Sequence, residues 1–369
     1  MKRVVFVTGH CWTSRRKAGF HWLADAFLSQ GWEVLFLTTS LSLLSIPRLD
    51  HRLKYISFRD LNQLRELQSR LFSYISFTTV HPAHLRVPFF NRLFTPVFQN
   101  YADQVNLRSC KDWVQKSHLC IFESTSGLLL MDRIQQINPD AKYIYRVSDD
   151  LRFLRSHPVV LEAEERALEK FDLISTPSAA IFSLFQSKSQ GLRLDYHAIR
   201  KDLFDASCPN PYQGRGTNAV FSGISHFDLD FLEIASQCLP EWNFHIIGPI
   251  RGLSKRSNVF AYGEVPFIET IPYIKHADIG LQTRSYVPGV ESLNRSLKTI
   301  QYTYCRLPIV APDYLKSDLG HWYTYKPGDA SSIVETLTTA LNHPRETIST
   351  VDILSWDEIV AEWCQELGI

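Results

Sequence analysis

Two acidic side chains follow short apolar segments in the first half of the sequence. Glu123 ends the segment His118–Glu123 (HLCIFE), and Asp149 follows the segment Lys142–Val147 (KYIYRV). If both segments are strands of a parallel sheet, the two carboxylates lie at its carboxyl edge, where ligands bind in such sheets. A carboxylate there can accept the proton of an attacking hydroxyl group. Asp is also a favoured helix N-cap, so position alone leaves a catalytic base and a cap equally open for Asp149.

Other charged residues follow strand-like segments in the same half. His10 comes after Val4–Thr8, and Arg16 lies further along the same loop. Their place after the first strand would put these side chains near the mouth of a cleft, whereas a lone His or a run of charges is more often solvated or structural. Glu123 is equally consistent with a functional role, in which it orients a ligand or holds Arg146, and with helix capping.

The second half carries an ordered pattern of a different kind. Asn258–Gln282 reads as a strand, a Gly-Glu turn that contains Glu264, a helix and a second strand. A further helix begins near Ser296 and contains Lys298. Its N-terminal N–H groups would face a diphosphate, to which Lys298 adds a positive charge. Gln301 can bond a hydroxyl group of a ribose or sugar. Taken singly, Lys298 is more simply a solvated residue and Glu264 an N-cap, but the ordered set predicts a nucleotide site.

Short apolar strands alternate with helical segments throughout the sequence. The predicted strands are Val4–Thr8, Glu33–Thr39, His118–Glu123, Lys142–Val147, Leu173–Ser175, Asn218–Ser222, Asn243–Gly248, Asn258–Tyr262, Ile279–Gln282 and Leu307–Ala311. This alternation predicts an α/β fold in which helices cover both faces of parallel sheets. Cys208–Gly216 is rich in Pro and Gly and reads as a linker. We therefore predict domains at 1–210 and 211–350, followed by a C-terminal helix at 351–369.

Composition excludes several classes of protein. The 369 residues include 39 Lys and Arg against 38 Asp and Glu, a balance that argues against a nucleic-acid-binding protein. The seven cysteines are scattered, which disfavours a disulfide framework or a zinc site. The first residues read as a strand rather than a signal peptide, and no apolar run is long enough to span a bilayer. The loop after the first strand lacks the glycine fingerprint of a dinucleotide-dependent dehydrogenase.

The segment Leu67–Ala102 contains arginines and many aromatic residues but no Asp or Glu. Its basic residues are Arg70, Arg86 and Arg92. Basic residues interleaved with aromatic ones are typical of a membrane-interface surface. On spacing alone, an apolar helix packed in the domain core explains the segment slightly better.

The pattern of the second half resembles the nucleotide-binding half of GT-B glycosyltransferases. In these, a K-x-x-[EQ]-Y helix precedes a PIV strand, and here the helix residues are Lys298, Gln301 and Tyr302. Three further segments narrow the resemblance to bacterial glucuronosyltransferases that add glucuronate to a lipid-linked oligosaccharide in xanthan assembly. These segments are Thr8–Trp22 (TGHCWTSRRKAGFHW), Thr78–Pro82 (TTVHP) and Ile121–Asp149, which contains F-E-S and Y-R-V-S-D. The resemblance covers nearly the whole chain.

The resemblance implies a GT-B fold, with two doubly wound Rossmann-like domains facing a cleft, and an inverting transferase that needs no metal or cofactor. It places the general base on Asp149, with Asp150 as the alternative because Asp150 replaces a small residue of the family pattern. The predicted donor-binding residues are Gly223, Glu264, Val265, Arg284, Ser296, Leu297, Lys298 and Gln301, and the predicted acceptor-binding residues are His10, Arg16 and Glu123. Arg284 stands where the family has a Tyr, and it would either suit a carboxylated donor sugar or be an exposed loop residue.

The resemblance thus implies transfer of a sugar from a UDP-sugar to a polyprenyl-diphosphate-linked glycan. In the family this sugar is glucuronate. The resemblance implies an acceptor-binding, membrane-associating first domain that acts peripherally at the cytosolic face of the bacterial inner membrane, with no nucleic-acid partner. The resemblance also favours the membrane-surface interpretation of the segment Leu67–Ala102. The alternatives are a UDP-hexose or UDP-N-acetylhexosamine transferase of the same fold, a UDP-sugar epimerase, and a binding protein that has lost catalysis.

Overall fold

The structure, a computed structural model, describes residues 1–85, 88–187, 191–223, 226–290 and 294–369. These residues form two compact units, one made of residues 1–196 with 356–369 and the other of residues 197–355. Residues 197–210, which the sequence analysis assigned to the first domain, thus belong to the second unit. None of the helices in these ranges combines the length and the apolar character needed to cross a bilayer.

Each unit is built on one sheet. The strands are β1 Arg3–Thr8, β2 Glu33–Ser42, β3 Leu64–Gln68, β4 Leu71–Thr78, β5 Leu119–Glu123, β6 Lys142–Arg146, β7 Leu173–Thr176, β8 Leu192–Leu194, β9 Thr217–Ser222, β10 Trp242–Ile247, β11 Val259–Gly263, β12 Ile279–Leu281, β13 Ile309–Pro312 and β14 Trp322–Tyr325. The first sheet has the order β3-β4-β2-β1-β5-β6-β7-β8, and the second has the order β11-β10-β9-β12-β13-β14. β3 and β4 pair antiparallel, and the other pairs described are parallel. The predicted α/β fold is confirmed.

Helices connect the parallel strands. They are α1 Gly19–Ser29, α2 Pro88–Gln99, α3 Tyr101–Gln104, α4 Lys111–Gln115, α5 Met131–Ile137, α6 Pro158–Ala167, α7 Ala179–Phe185, α8 Lys201–Asp205, α9 Leu229–Cys238, α10 Phe267–His276, α11 Leu297–Tyr304, α12 Ala330–Leu341 and α13 Trp356–Leu367. α1 shows why they pack on the sheet. Its residues Phe20 and Phe27 lie on one helical face and meet Phe6 of β1 edge-on, at ring distances of 5.9 and 5.7 Å.

The C-terminal helix α13 belongs to the first unit. Its Trp363 is fully buried and donates from Nε1 to the Asp195 carboxylate at 2.9 Å. Trp356, also on α13, packs against Gly19 at the start of α1, where an added Cβ would lie 3.2 Å from the indole ring. A side chain larger than that of Gly19 would therefore push α13 away from α1.

In both sheets the strand order reverses at one place. The reversal falls between β1 and β5 in the first sheet and between β9 and β12 in the second. Ligands of open parallel sheets bind outside the carboxyl ends of the strands at such a point. The residues that follow β1, β5, β9 and β12 are therefore expected to contact ligands.

The acid-free segment Leu67–Ala102 is not a single surface. Its first part forms β4, in which Tyr74 is fully buried in the sheet. Its second part contains α2, where Phe98 is buried and its ring lies 4.8 Å from that of His157. The remaining large apolar side chains of α2 are exposed, namely Phe89, Phe90, Leu93, Phe94 and Val97. Arg92 is exposed on the same helix, whereas Arg86 lies outside the described residues.

Candidate active site

The buried carboxylate of Glu123 lies at the end of β5, on the carboxyl edge of the first sheet. One of its oxygens accepts hydrogen bonds from the Thr8 hydroxyl at 2.5 Å and from the Gly9 amide at 3.0 Å. The other oxygen accepts from the Ser148 hydroxyl at 3.0 Å and lies 3.1 Å from His10 Nε2. Burial alone would raise the pKa of Glu123, but the charge of His10 and these hydrogen bonds outweigh it and hold the pKa at about 2. Glu123 is therefore ionised.

His10 is the cationic partner of Glu123. Burial opposes a charge on His10, but the attraction and hydrogen bond of Glu123 outweigh it and raise the pKa of the imidazole above its ordinary value. The ring of His21 lies 5.4 Å from that of His10. His21 is buried and links the two ends of the loop between β1 and α1. Its ring accepts a hydrogen bond from the Ala18 amide and bonds the Cys11 carbonyl. Burial and the charge of His10 lower the pKa of His21 to about 3, so it is neutral.

Asp149 and Asp150 are adjacent but differ in their contacts. Asp150 accepts the Arg152 amide at 2.9 Å and forms an ion pair with the Arg152 guanidinium, so it closes the turn that follows β6. The Asp149 amide donates to Ser124 Oγ, whereas no donor in the described ranges bonds the Asp149 carboxylate. Burial, followed by the negative charge of Glu123, raises the pKa of Asp149 to about 6. A partly buried carboxylate with this pKa has the properties of a general base near neutral pH.

Arg146 is not held by Glu123, contrary to one of the roles considered from the sequence. Its guanidinium is buried and donates to the Ser175 hydroxyl at 2.7 Å and to the Asp195 carbonyl at 2.8 Å. The side chain of Arg146 thus reaches towards β7 instead of the edge where Glu123 lies. The structure brings Glu123 together with His10 and places Arg146 in the scaffold.

Arg16 lies in the loop between β1 and α1. Its amide donates to Ser14 Oγ at 3.2 Å. The neighbouring Lys17 folds this loop, since its ammonium group donates to the Trp12 carbonyl at 2.8 Å and lies 4.7 Å from the centre of the Trp12 ring. Binding of an acceptor by Arg16 stays a prediction.

The edge of the second unit holds a buried, unpaired lysine. Lys298 is only 7% exposed, and its ammonium nitrogen has no hydrogen-bond partner among the described residues. The nitrogen lies 3.7 Å from the centre of the Phe221 ring of β9. Burial, followed by the charge of Arg284, lowers the pKa of Lys298 well below its ordinary value. Lys298 is therefore not the solvated helix residue that its position in the sequence allowed.

Arg284 follows β12 and is also buried rather than exposed. Its side chain is 6% exposed, and burial lowers its pKa to about 10. Two basic side chains are thus buried near each other beyond β9 and β12. Two like charges there would repel each other, and an anionic ligand such as a diphosphate would offset them.

Glycines keep the backbone open beside Lys298. Gly223 follows β9, and a Cβ there would lie 3.1 Å from the Lys298 ammonium nitrogen. Gly248 follows β10 with a φ of 141°, and a Cβ there would lie 1.8 Å from the Gly223 carbonyl oxygen. Only glycine fits at position 248 without a shift of the backbone. These glycines therefore allow the segments after β9 and β10 to pack closely against each other beside Lys298.

The other predicted donor residues lie around this place or further away. Ser296 is the N-cap of α11, and its hydroxyl accepts from the Gln282 amide group at 2.9 Å. Leu297 and Gln301 lie on α11 with Lys298 and are partly exposed. Glu264 and Val265 follow β11. In the second sheet, β10 lies between β11 and β9, so these two residues follow a strand that is not adjacent to β9. Because Pro266 is the N-cap of α10, Glu264 does not cap that helix as the alternative interpretation had it.

Several residues of the two sites carried no signal in the sequence. Thr8 and Ser148 hold the Glu123 carboxylate, and Ser124 accepts from the Asp149 amide, yet each resembles any hydroxyl residue near a strand end. Arg52 donates to the Gly9 carbonyl at 2.5 Å across 43 residues of sequence. Only the fold reveals such contacts. The described residues contain no group of three or more His, Cys, Asp or Glu side chains arranged to hold a metal ion.

Comparisons with known proteins support the resemblance found in the sequence. Residues 6–177 match the family described as the glucuronosyltransferase GumK, N-terminal domain. Over 356 residues the chain is 28% identical to the UDP-glucuronate:glycolipid 2-beta-glucuronosyltransferase of Xanthomonas campestris pv. campestris, with 95% of this chain and 86% of that protein covered. The resemblance inferred from the sequence is confirmed.

Solved structures share the fold at low sequence identity. The calicheamicin glycosyltransferase CalG4 is 12% identical with a TM-score of 0.54, covering 100% of this chain and 98% of its own. The UDP-GlcNAc 2-epimerase of Methanocaldococcus jannaschii is 10% identical with a TM-score of 0.55, covering 99% and 100%. Since a transferase and an epimerase share this architecture, the family match, and not the fold, separates the two activities. The chain is a glycosyltransferase of the GT-B fold, and residues 6–177 match the GumK N-terminal domain family.

Proposed function

We propose that the protein transfers glucuronate from UDP-glucuronate to a hydroxyl group of a lipid-linked glycan, with inversion and without a metal ion. The uncommitted carboxylate of Asp149, beside the Glu123–His10 pair, is the observation that carries the proposal. The name of the Xanthomonas relative supports the donor and the glycolipid acceptor. The residue assignments rest on the geometry at the edge of each sheet.

Inversion requires one direct displacement at the anomeric carbon. The acceptor oxygen attacks, its bond to the sugar forms while the bond from the sugar to UDP breaks, and the acceptor proton passes to a base. Asp149 is suited to this role because its pKa of about 6 leaves it ionised at neutral pH and still basic enough to take a proton. Glu123 is not suited, because four hydrogen-bond donors already surround it and hold its pKa at about 2.

The departing UDP gains negative charge on its diphosphate. Lys298, Arg284 and the N-terminus of α11 are positive groups that would stabilise this charge as it develops. They would serve where other enzymes use a divalent cation. Arg284 would additionally suit the carboxylate of glucuronate, since a guanidinium can bind a carboxylate through two parallel hydrogen bonds.

A panel of UDP-sugars tests the proposal. UDP-glucuronate, UDP-glucose and UDP-N-acetylglucosamine would each be incubated with a lipid-linked glycan, with and without EDTA, and UDP release and product anomeric configuration would be measured. We expect release only with acceptor present, fastest with UDP-glucuronate, unchanged by EDTA and with a β-linked product. Release without any acceptor would contradict a transferase, and preference for UDP-glucose would contradict the donor assignment.

We further propose that α2 attaches the enzyme to the membrane surface. Its exposed apolar side chains recur on one side of the helix, where Phe89 and Leu93 are 68% and 58% exposed. Monomeric soluble proteins rarely expose several large apolar side chains together without a binding role. Arg92 on the same helix would meet anionic headgroups.

Replacement of Phe89 and Leu93 by serine is therefore expected to reduce sedimentation with phosphatidylglycerol vesicles. Each side chain loses about 1.5–3 kcal/mol of apolar transfer free energy. Replacement of Arg92 by glutamate should add a smaller loss of about 1 kcal/mol that disappears in high salt. Phe58→Ser is the matched control, because Phe58 is 73% exposed in the same unit but is not part of α2. Equal sedimentation of all these variants would remove α2 from membrane attachment.

A further inference from the structure

A cavity lies at the carboxyl edge of the first sheet, apart from the Glu123–Asp149 site. It encloses about 240 Å³, well above the roughly 10–15 Å³ that one water molecule needs. Its walls come from the segments that follow β2, β4, β5 and β6, and from the start of α6. Neither Asp149 nor any predicted acceptor residue lines it.

The lining of this cavity is basic. It includes three arginines and three histidines but no carboxylate, namely Arg48, Arg52, Arg155, His81, His84 and His157. Arg52 is compensated, since its guanidinium pairs with Asp50 at 2.6 Å. Arg48 and Arg155 are exposed, and neither side chain has a hydrogen bond or ion pair with a described residue. Two positive charges therefore face this cavity without a counter-charge.

A neutral histidine and the N-terminus of α6 complete the lining of the cavity. His81 is 8% exposed, and its Nδ1 lies 2.7 Å from the Ser42 hydroxyl, which leaves Nε2 as the ring atom available to a ligand. Burial and the charges of Arg52 and Arg48 lower the pKa of His81 to about 4, so the field of these arginines reaches the ring. The cavity also includes the N-terminus of α6, where His157 caps the Val159 amide and the helix dipole favours an anion.

The cavity adjoins the carboxylate site and α2. Arg52 lines the cavity and donates to the Gly9 carbonyl at 2.5 Å, while the Gly9 amide donates to Glu123. On the other side, His157 lines the cavity and bonds the Asn91 carbonyl of α2 at 3.1 Å. A group bound here thus lies between the candidate base and the exposed apolar helix.

We propose that this cavity binds a phosphate or diphosphate group and that, if the proposed function holds, the group is the diphosphate joining the lipid to the acceptor glycan. Arg48 and Arg155 supply the charge, His81 offers a neutral ring nitrogen, and the dipole of α6 favours an anion. The lipid then leaves the cavity along α2, and the glycan extends towards Asp149. The site would recognise the anchor of the acceptor, separately from the sugar that is modified.

Calorimetric titration of the full chain with inorganic pyrophosphate tests the cavity, with saturating UDP present to fill the nucleotide site. We expect saturable binding that weakens roughly 10- to 100-fold in the double variant Arg48→Gln/Arg155→Gln, since hydrogen bonds to charged groups are lost. The matched control is Arg59→Gln/Arg108→Gln, which removes two exposed, unpartnered arginines of the same unit. No saturable binding by the unmodified chain, or equal weakening in both double variants, would overturn the proposal.

Enzyme kinetics and vesicle sedimentation distinguish whether the phosphate group bound in the cavity belongs to the acceptor or to a membrane lipid. For the acceptor diphosphate, the Arg48→Gln/Arg155→Gln variant should raise the acceptor KM roughly 10- to 100-fold, with UDP-sugar KM, kcat and vesicle sedimentation unchanged. Lost sedimentation with an unchanged acceptor KM would identify a lipid headgroup and overturn the assignment to the acceptor. If the chain transfers no sugar while pyrophosphate still separates the two double variants, the proposed function fails and the anion site stands.

Discussion

Turnover with a lipid-linked acceptor is expected to fall by about 10²–10⁴-fold when Asp149 is replaced by asparagine. Asparagine keeps the shape of the side chain but cannot accept the proton of the acceptor hydroxyl group. UDP affinity should change little, because Lys298 and Arg284 belong to the other unit. The measurement is initial-rate turnover together with UDP binding by calorimetry, so that a loss of chemistry is separated from a loss of binding.

Asp150→Asn is the matched control for this prediction. Asp150 has the same charge and lies in the same turn, but its carboxylate is occupied by the amide and guanidinium of Arg152. Its replacement should therefore affect the stability of the turn more than the rate. If Asp149→Asn retains near-normal turnover while Asp150→Asn loses it, the base is Asp150. If both variants stay active, Glu123 becomes the next candidate despite its low pKa.

The dependence of rate on pH is a second readout of the same assignment. Since the base must be ionised, kcat/KM should fall as the pH drops through about 6, the pKa of Asp149. The negative charge of Glu123 raises this pKa and the positive charge of His10 lowers it. Glu123→Gln should therefore move the acidic limb to lower pH, and His10→Gln should move it to higher pH. Shifts in the same direction would show that another group controls the limb.

Buried parallel strands were the part of the fold easiest to predict. β1, β5, β6 and β7 are covered on both faces and so read as continuous apolar runs bounded by polar residues. β4 was missed, although its residues Leu71–Thr78 are as buried, because polar Ser and aromatic residues alternate in a segment otherwise free of acids. There the composition favoured a helix or a membrane surface, and only α2 has that character.

The site was predictable where a side chain directly follows a strand. Glu123 and Asp149 lie where the strand ends placed them, because parallel strands bring their carboxyl ends to one edge. Their protonation was not predictable, since it depends on burial and on donors such as Thr8 and Ser148 that arrive from distant strands. The basic cavity could not be predicted for the same reason, because Arg48 and Arg155 are far apart in sequence and line one cavity only in the folded unit.

Lys298 illustrates a conflict between stability and function. A lysine on a helix is usually solvated, but this one is buried against the Phe221 ring and near Arg284, and its nitrogen has no hydrogen-bond partner among the described residues. An unsatisfied buried polar group costs about 1–3 kcal/mol, more when charged. Such a cost persists at functional sites, where a ligand supplies the missing partner. The proposed ligand here is the diphosphate of the donor.

Replacement of Lys298 by methionine should therefore have opposite effects on the free and the UDP-bound protein. Methionine fills a similar volume without a charge, so the free protein should be as stable or more stable, by about 1–3 kcal/mol of unfolding free energy. UDP should bind about 10- to 100-fold more weakly, because a charge-assisted contact worth about 1.5–3 kcal/mol is lost. Thermal unfolding with and without UDP measures both effects, since binding to the folded state raises Tm. Lys326→Met, at an exposed lysine of the same unit, controls for the loss of one charge. A folded Lys298→Met protein that still binds UDP with unchanged affinity would show that the diphosphate lies elsewhere, and a strongly destabilised one would show that Lys298 already has a partner in the free protein.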